Sequence, residues 1–308
     1  MVEWKVLGES VRGASHIRND LPNQDAFEIC ENPLIIAVAD GHGSAKCPYS
    51  DLGAQFAVAS GIEAIQQIIS KHNQPSEILS FLASKDILNE LIPKNIYKLW
   101  KSKVDDDINA DSITIIKDDE CGEIITIDKV KNAESPESES IKKESPPSKK
   151  DYLQYGATLL IVYIIENSAF FWQIGDGDLV VIQSDGSLDE PIPIDDRLLG
   201  NETTSLCRIN AWQDFRSYVM PIINKPPKAI FLVTDGYKNS FKEPEGFDKA
   251  LDDIYSFIKK DGEASVKHNL ADWLNEASQS GSGDDITLVV AYSVDSPNIS
   301  MECMSEDI

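Results

Sequence analysis

Apolar runs that halt at aspartate recur along the chain. Residues 34–39 stop at Asp40-Gly41, 168–174 stop at Gly175-Asp176, and 228–234 stop at Asp235-Gly236. The β-branched run 286–292 begins just after Gly283-Asp284-Asp285, and 155–165 forms a fifth run. These runs are continuous, not alternating. They suit strands buried on both faces, such as those of a sandwich covered by helices. Helical spacing appears elsewhere: Leu52, Phe56, Ile62, Ile65 and Ile69 within 51–69, and Ile78, Leu82, Ile87, Leu91 and Ile96 within 77–100. Segments 247–258 and 264–277 also read as helices. Long helices fall between the early and middle strands and again before the last one. That order predicts an α+β layered fold and not regular βαβ alternation.

Composition changes this picture in one place. From about 101 to 150 the chain carries Asp105-Asp106-Asp107 and Asp118-Asp119-Glu120, then a stretch dominated by Ser, Pro, Glu and Lys. Such a segment buries too little apolar surface to order itself. Strong strand signals continue on both sides, so 101–150 reads as an excursion from one domain spanning 1–308, with a short edge strand at 123–127 inside it. The whole chain has 308 residues, 28 Lys plus Arg and 52 Asp plus Glu, for a net charge of −24. That excess repels nucleic acid and anionic membrane surfaces. No basic segment followed by an apolar run opens the chain, and no stretch is apolar enough to span a bilayer. Five cysteines (Cys30, Cys47, Cys121, Cys207, Cys303) form no Cys-x-x-Cys pair, which suits reduced thiols in the cytoplasm.

The charge also raises the question of whether some carboxylates hold cations. A single Asp-Gly is ordinarily a turn, because Gly accepts positive φ and Asp bonds its own backbone. Four Asp-bearing turns at the ends of hydrophobic strands are different. If those strands are neighbours, Asp40, Asp235 and Asp284 converge. Two carboxylates roughly 4 Å apart repel by about 4 kcal/mol at an effective dielectric of 20. A convergent cluster therefore needs protons or cations, and all-oxygen ligands favour Mg²⁺ or Mn²⁺ over zinc.

These residues carry a resemblance. The order Asn23-Gln24-Asp25-Ala26, Asp40-Gly41-His42-Gly43, Gly156-Ala157-Thr158, Gly175-Asp176-Gly177-Asp178, Asp235-Gly236 and Gly283-Asp284-Asp285-Ile286-Thr287 resembles the PP2C (PPM) metal-dependent Ser/Thr protein phosphatases, closest to the compact bacterial type. The resemblance implies a central antiparallel β-sandwich flanked by helix pairs, with two metal ions, and a looser third, in a cleft at one end. It implies that Asp40 bridges both metals, that Asp235 and Asp284 bind the first, and that the Gly41 carbonyl binds the second. Asp176 would help Asp235 hold the third. A phosphoprotein substrate, a partner Ser/Thr kinase and a monomeric state complete the expectation.

The sequence departs from the family pattern at three points. The usual Glu-Asp pair is Gln24-Asp25, which leaves Asp25 as the acidic contact to the second metal. The phosphate-binding Arg is displaced, with Arg12 and Arg18 as candidates and His16 as another group beside the phosphate. His16 reads equally well as a surface or core-edge histidine. Asp178 stands where the family often has Arg, which predicts a changed structural contact.

Hydrolysis of a phosphate monoester asks for roughly 20 kcal/mol of catalysis, and proton transfer supplies only about 10²–10⁴-fold. A water bridging two divalent cations ionises far below bulk water and attacks phosphorus in line. His42, two residues after Asp40, is placed to protonate the leaving serine or threonine oxygen. The resemblance also implies that the segment 183–229, which here holds Asp185-Gly186, Pro191, Pro193, Arg197 and Pro226-Pro227, forms a flap beside the cleft. Two other readings stand beside this one: a PP2C-like binding module without turnover, and a hydrolase of small phosphoesters.

Overall fold

The computed structural model describes residues 2–110, 151–193, 203–222 and 225–294, and the backbone of 113–117 and 124–128. In chain order, strand β1 (Glu3–Val11) leads to the short helix α1 (Ala14–Arg18), β2 (Ala26–Glu31) and β3 (Leu34–Ala39). Helices α2 (Ser50–Ile69), α3 (Pro75–Leu82) and α4 (Ile92–Ala110) follow, then a ribbon of β4 (Ile113–Lys117) and β5 (Ile124–Asp128). Next come β6 (Leu159–Ile165), β7 (Ser168–Ile174), β8 (Asp178–Ile182), β9 (Leu188–Asp189), β10 (Arg216–Pro221) and β11 (Ala229–Val233). The chain closes with α5 (Asp235–Lys238), α6 (Pro244–Asp261), α7 (Glu263–Ser280) and β12 (Ile286–Val294).

Two antiparallel five-stranded sheets run in the orders β1-β12-β11-β8-β9 and β10-β7-β6-β3-β2. Their facing sides bury Ile36, Val38, Leu160, Val162, Phe171, Val181, Ile230, Leu232 and Val289 in one central layer. The alternate residues Ile35, Ala37, Leu159, Ile161, Tyr163, Phe170 and Trp172 pack outward with α2 and α4. On the other side Val180, Ile182, Phe231, Val233, Leu288 and Val290 pack with α6 and α7. Every central strand thus has both faces covered, which is why its sequence reads as an unbroken apolar run. The result is the helix-sheet-sheet-helix stack expected.

The helices follow from simple local chemistry. In α6, Phe247, Leu251, Ile254 and Ile258 are buried at near-helical intervals, and in α7 Val266, Leu270 and Leu274 repeat every four residues. Gln74 and Glu77 cap each other's backbone at the start of α3, with Pro75 in its first turn.

Two expectations need correction. The helix expected over 77–100 is broken: α3 ends at Leu82, and a wider π-type turn, Ile87–Leu91, leads into α4. Pro93 gives the reason, since it lacks an N–H and its ring would clash with the carbonyl four residues back; it fits only in a helix's first turn. The excursion expected from about 101 begins later, because 101–110 are the last turns of α4. Trp100 and Val104 are buried there, and the carboxylates of Asp105 and Asp107 accept hydrogen bonds from Tyr152 and Tyr155, both at 2.6 Å. The edge strand expected at 123–127 is seen as β5, paired with β4 in a two-stranded ribbon of its own. Residues 129–150, Cys121, Cys303 and Arg197 lie outside the described residues.

Candidate metal centre and active site

Antiparallel pairing brings the relevant strand ends to one edge of the sandwich. Ala26 pairs with Ala39, Leu159 with Ile174, and Val233 with both Asp178 and Leu288. The residues just beyond these pairs are Asp25, Asp40, Asp176, Asp235 and the Asp284-Asp285 pair. One carboxylate oxygen each from Asp40, Asp176 and Asp235 lies within 4.8 Å of the others. Asp25 is buried behind them, with Oδ2 accepting from Thr234 Oγ1 at 2.8 Å.

The electrostatics of this cluster are unfavourable without a counter-charge. Burial first, then Asp25, Asp235, Asp284 and Asp176, push Asp40 well above the carboxylate range. Burial pushes Asp25 up to about 8, opposed by its bond from Thr234. Burial with Asp176 and Asp284 pushes Asp235 up to about 7. Two buried oxygens, Asp25 Oδ1 and Gln24 Oε1, have no hydrogen-bond partner. Orphaned buried acceptors cost free energy, and a hard divalent cation answers both the charge and the orphaned oxygens. The all-oxygen donor set fits Mg²⁺ or Mn²⁺.

Asp284 sits at the rim. It is more than half exposed, it lies outside the 4.8 Å group, and its Oδ1 is 3.6 Å from His16 Nε2. Its neighbour Asp285 is buried and is the residue that sequence reasoning passed over. It accepts from the backbone N–H of Gly13 and Gln24, both at 2.6 Å, and meets His16 Nδ1 at 2.8 Å. Burial raises its pKa against those donors. This one carboxylate ties α1, the Gln24-Asp25 turn and the start of β12 together. Its Oδ2 faces Nδ1 of His16, which leaves Nε2 facing Asp284 and the loop at Gly43. Only its place in the run of acids before β12 could have flagged it.

Of the other phosphate-binding candidates, Arg12 donates to the His16 carbonyl at 3.1 Å and pairs with Asp20 at 3.5 Å. Arg18 is exposed, with its guanidinium beside Gly283. Of the three, His16 is the one buried between Asp285 and Asp284. The changed contact at Asp178 is an ion pair, with Lys238 Nζ 2.5 Å from Asp178 Oδ1. Burial raises Asp178 to about 6, with Lys238 opposing.

Gly41 is wedged into the site, its N–H donating to the Gln24 carbonyl at 3.1 Å. His42 follows, its N–H donating to the Gly156 carbonyl at 3.0 Å. Burial lowers the His42 pKa and Asp176 pulls it back up. The imidazole lies against Gly156: a Cβ there would fall 2.3 Å from His42 Cδ2. Gly156→Ala is therefore expected to displace the ring. A shift of the His42 ring resonances in the NMR spectrum of the variant checks this. Beside Asp176 opens a cavity of about 380 Å³, lined by Asp178, Glu190, Arg216, Lys238 and Phe247.

The protein phosphatase 2C model matches residues 12–275, and the chain belongs to that family. No curated protein matches it at the level of sequence. Many solved structures share its fold, three of them as follows. One is PppA, described as a key regulatory component of the T6SS in Pseudomonas aeruginosa: TM-score 0.56, 13% identity, covering 95% of this chain and 99% of that one. Another is Stp1, a serine/threonine phosphatase from Staphylococcus aureus: TM-score 0.53, 13% identity, 96% of each chain. The third is the catalytic domain of the serine/threonine phosphatase PstP with two manganese ions: TM-score 0.50, 16% identity, 96% of this chain and all of that one.

Proposed function

We propose that the chain is a metal-dependent protein serine/threonine phosphatase, a single catalytic domain over 1–308 interrupted by an insertion after α4. The observation that carries this reading is the convergence of Asp40, Asp176 and Asp235 within 4.8 Å, with raised pKa values at Asp40 and Asp235. When bound, two Mg²⁺ or Mn²⁺ ions supply charge stabilisation of the phosphoryl oxygens and a water of lowered pKa. Asp40 stands at the centre and would contact both ions. Asp235 and Asp284 would hold the first, and Asp25 with the Gly41 carbonyl the second. Asp176 would hold a third with Asp235. His16 would orient the phosphate in place of an arginine, while Arg12 braces α1. His42 would give its proton to the departing serine or threonine oxygen. The substrate class is a phosphoprotein, and a Ser/Thr kinase would supply it. Cys30, Cys47 and Cys207 are free thiols, which supports action in the cytoplasm.

Gln24 in place of a carboxylate favours a second reading, a binding module that keeps the fold without turnover. Release of phosphate from a phosphothreonine peptide with Mn²⁺, compared with EDTA, separates the two. Metal-dependent release is expected; its absence at high enzyme concentration would leave the binding module. Turnover of small phosphoesters with none of phosphopeptides would point to a small-molecule hydrolase.

A further inference from the structure

The loop that carries Asp176 is held from outside the metal cluster. Its first residue, Gly175, has φ +99°, and a Cβ there would fall 2.4 Å from Thr158 Cγ2. Thr158 in turn takes the Asp40 N–H on its hydroxyl at 3.0 Å and donates its own N–H to the Asp40 carbonyl at 2.8 Å. Asp40 and the Asp176 loop are thus packed through one threonine. Both backbone groups of Gly175 are then bound by other residues. Its N–H donates to Thr204 Oγ1 at 2.9 Å. Its carbonyl accepts from Arg216 Nη2 at 2.9 Å and from Gln173 Nε2 at 3.3 Å. Gln173, paired with Arg216 across β7 and β10, also donates to the Gly177 carbonyl at 2.6 Å. The second arm of the Arg216 guanidinium donates to the Pro193 carbonyl at 2.7 Å.

Pro193 and Thr204 both belong to the 183–229 segment. Arg216 therefore spans two carbonyls, one on that segment and one immediately before Asp176. We propose that Arg216 is a positioning residue that ties the backbone at Pro193 to the backbone immediately before Asp176, so that the cation affinity contributed by Asp176 depends on this tie. This rests on the phosphatase reading only in requiring that Asp176 bind a cation. The planar fork explains the residue type: it reaches two acceptors at once with fixed geometry, whereas a lysine ammonium on a flexible stem does not hold both.

Mn²⁺ titration of the whole 308-residue chain, by calorimetry and by the electron paramagnetic resonance of free Mn²⁺, tests this without turnover. Asp176→Asn in the wild-type background identifies the ion that depends on Asp176. Arg216→Ala is expected to weaken that ion by roughly 10–100-fold, the range for residues that support a metal ligand, and to leave the tighter ions unchanged. Arg216→Lys is expected to weaken it nearly as much. Adding Arg216→Ala to Asp176→Asn is expected to cause no further loss. Thr204→Val, which removes the tie on the Gly175 N–H and leaves Arg216 in place, is expected to weaken the same ion and covers the case in which Arg216→Ala does not fold. Wild-type affinity in Arg216→Ala, or losses that multiply in the double variant, would overturn the coupling. Wild-type protein that binds no Mn²⁺ would overturn the phosphatase reading with it, whereas binding insensitive to Arg216 overturns the coupling alone.

Discussion

Asp40→Asn is expected to abolish metal-dependent phosphate release, by at least about 10³-fold, while making the metal-free protein more stable. The two effects have one cause. Asp40 is the carboxylate most burdened by its neighbours, with Asp25, Asp235, Asp284 and Asp176 all raising its pKa in addition to burial. An amide of the same shape removes one charge from that cluster and with it the central anionic ligand. Loss of electrostatic stabilisation at a reacting centre costs on the order of 10²–10³ for even one donor, and Asp40 would serve two ions. In the metal-free fold the same substitution relieves repulsion. Each kcal/mol so gained raises Tm by roughly 2–4 °C in a chain of this size class. The pH dependence has a definite sign. Asp25 and Asp235 titrate near 8 and 7 in the fold against 3.8 when unfolded. Between those values the folded state holds more protons than the unfolded one, so metal-free stability falls as pH rises from about 4 to about 8. Mn²⁺ should abolish that slope in the wild type. Thermal melts at several pH values, with EDTA and with Mn²⁺, check it. A metal-free Asp40→Asn protein less stable than wild type at pH 7 would show that repulsion is not the dominant effect at this position.

The central strands were legible because the sandwich covers both of their faces. β3, β7 and β11 lie within one residue of the apolar runs that end at Asp40, Gly175-Asp176 and Asp235. Those aspartates were legible for the same reason, since each ends a run whose centre is wholly apolar. β1, β2 and β10 were not, because their residues are mostly half-exposed and mix charge with apolar side chains. The break between α3 and α4 hides in a continuous helical spacing that only Pro93 contradicts. Asp285, Arg216 and Thr204 act through partners far away in the chain: His16 lies 269 residues from Asp285, and Gly175 lies 41 from Arg216. Such contacts depend on strand register, which the apolar pattern does not specify residue by residue. The pairing of Asp178 with Lys238 is intermediate. A changed contact could be expected from the sequence, but its partner is set by α5 starting at Asp235.

His42→Ala is expected to slow a phosphothreonine peptide by roughly 10²–10³-fold and an aryl phosphate by less than about 10-fold, following the size of general-acid effects. The leaving alkoxide of serine or threonine is strongly basic and needs a proton as the P–O bond breaks. A nitrophenolate departs without one. His42 is placed for this by two backbone features. Its N–H is anchored on the Gly156 carbonyl, and its ring rests on the side of Gly156 where a side chain would lie. It follows Asp40 by two residues, so it moves with the central ligand. Burial lowers the imidazole pKa below its ordinary 6.5, with Asp176 opposing. A lower pKa makes the protonated ring a stronger acid and thins its population at neutral pH. Phosphopeptide turnover should therefore fall at high pH earlier than aryl phosphate turnover, and His42→Ala should remove that difference. Gly156→Ala, which displaces the ring without removing it, should show the same selectivity in weaker form. Equal losses on both substrates in His42→Ala would mean that the imidazole positions the loop and gives no proton.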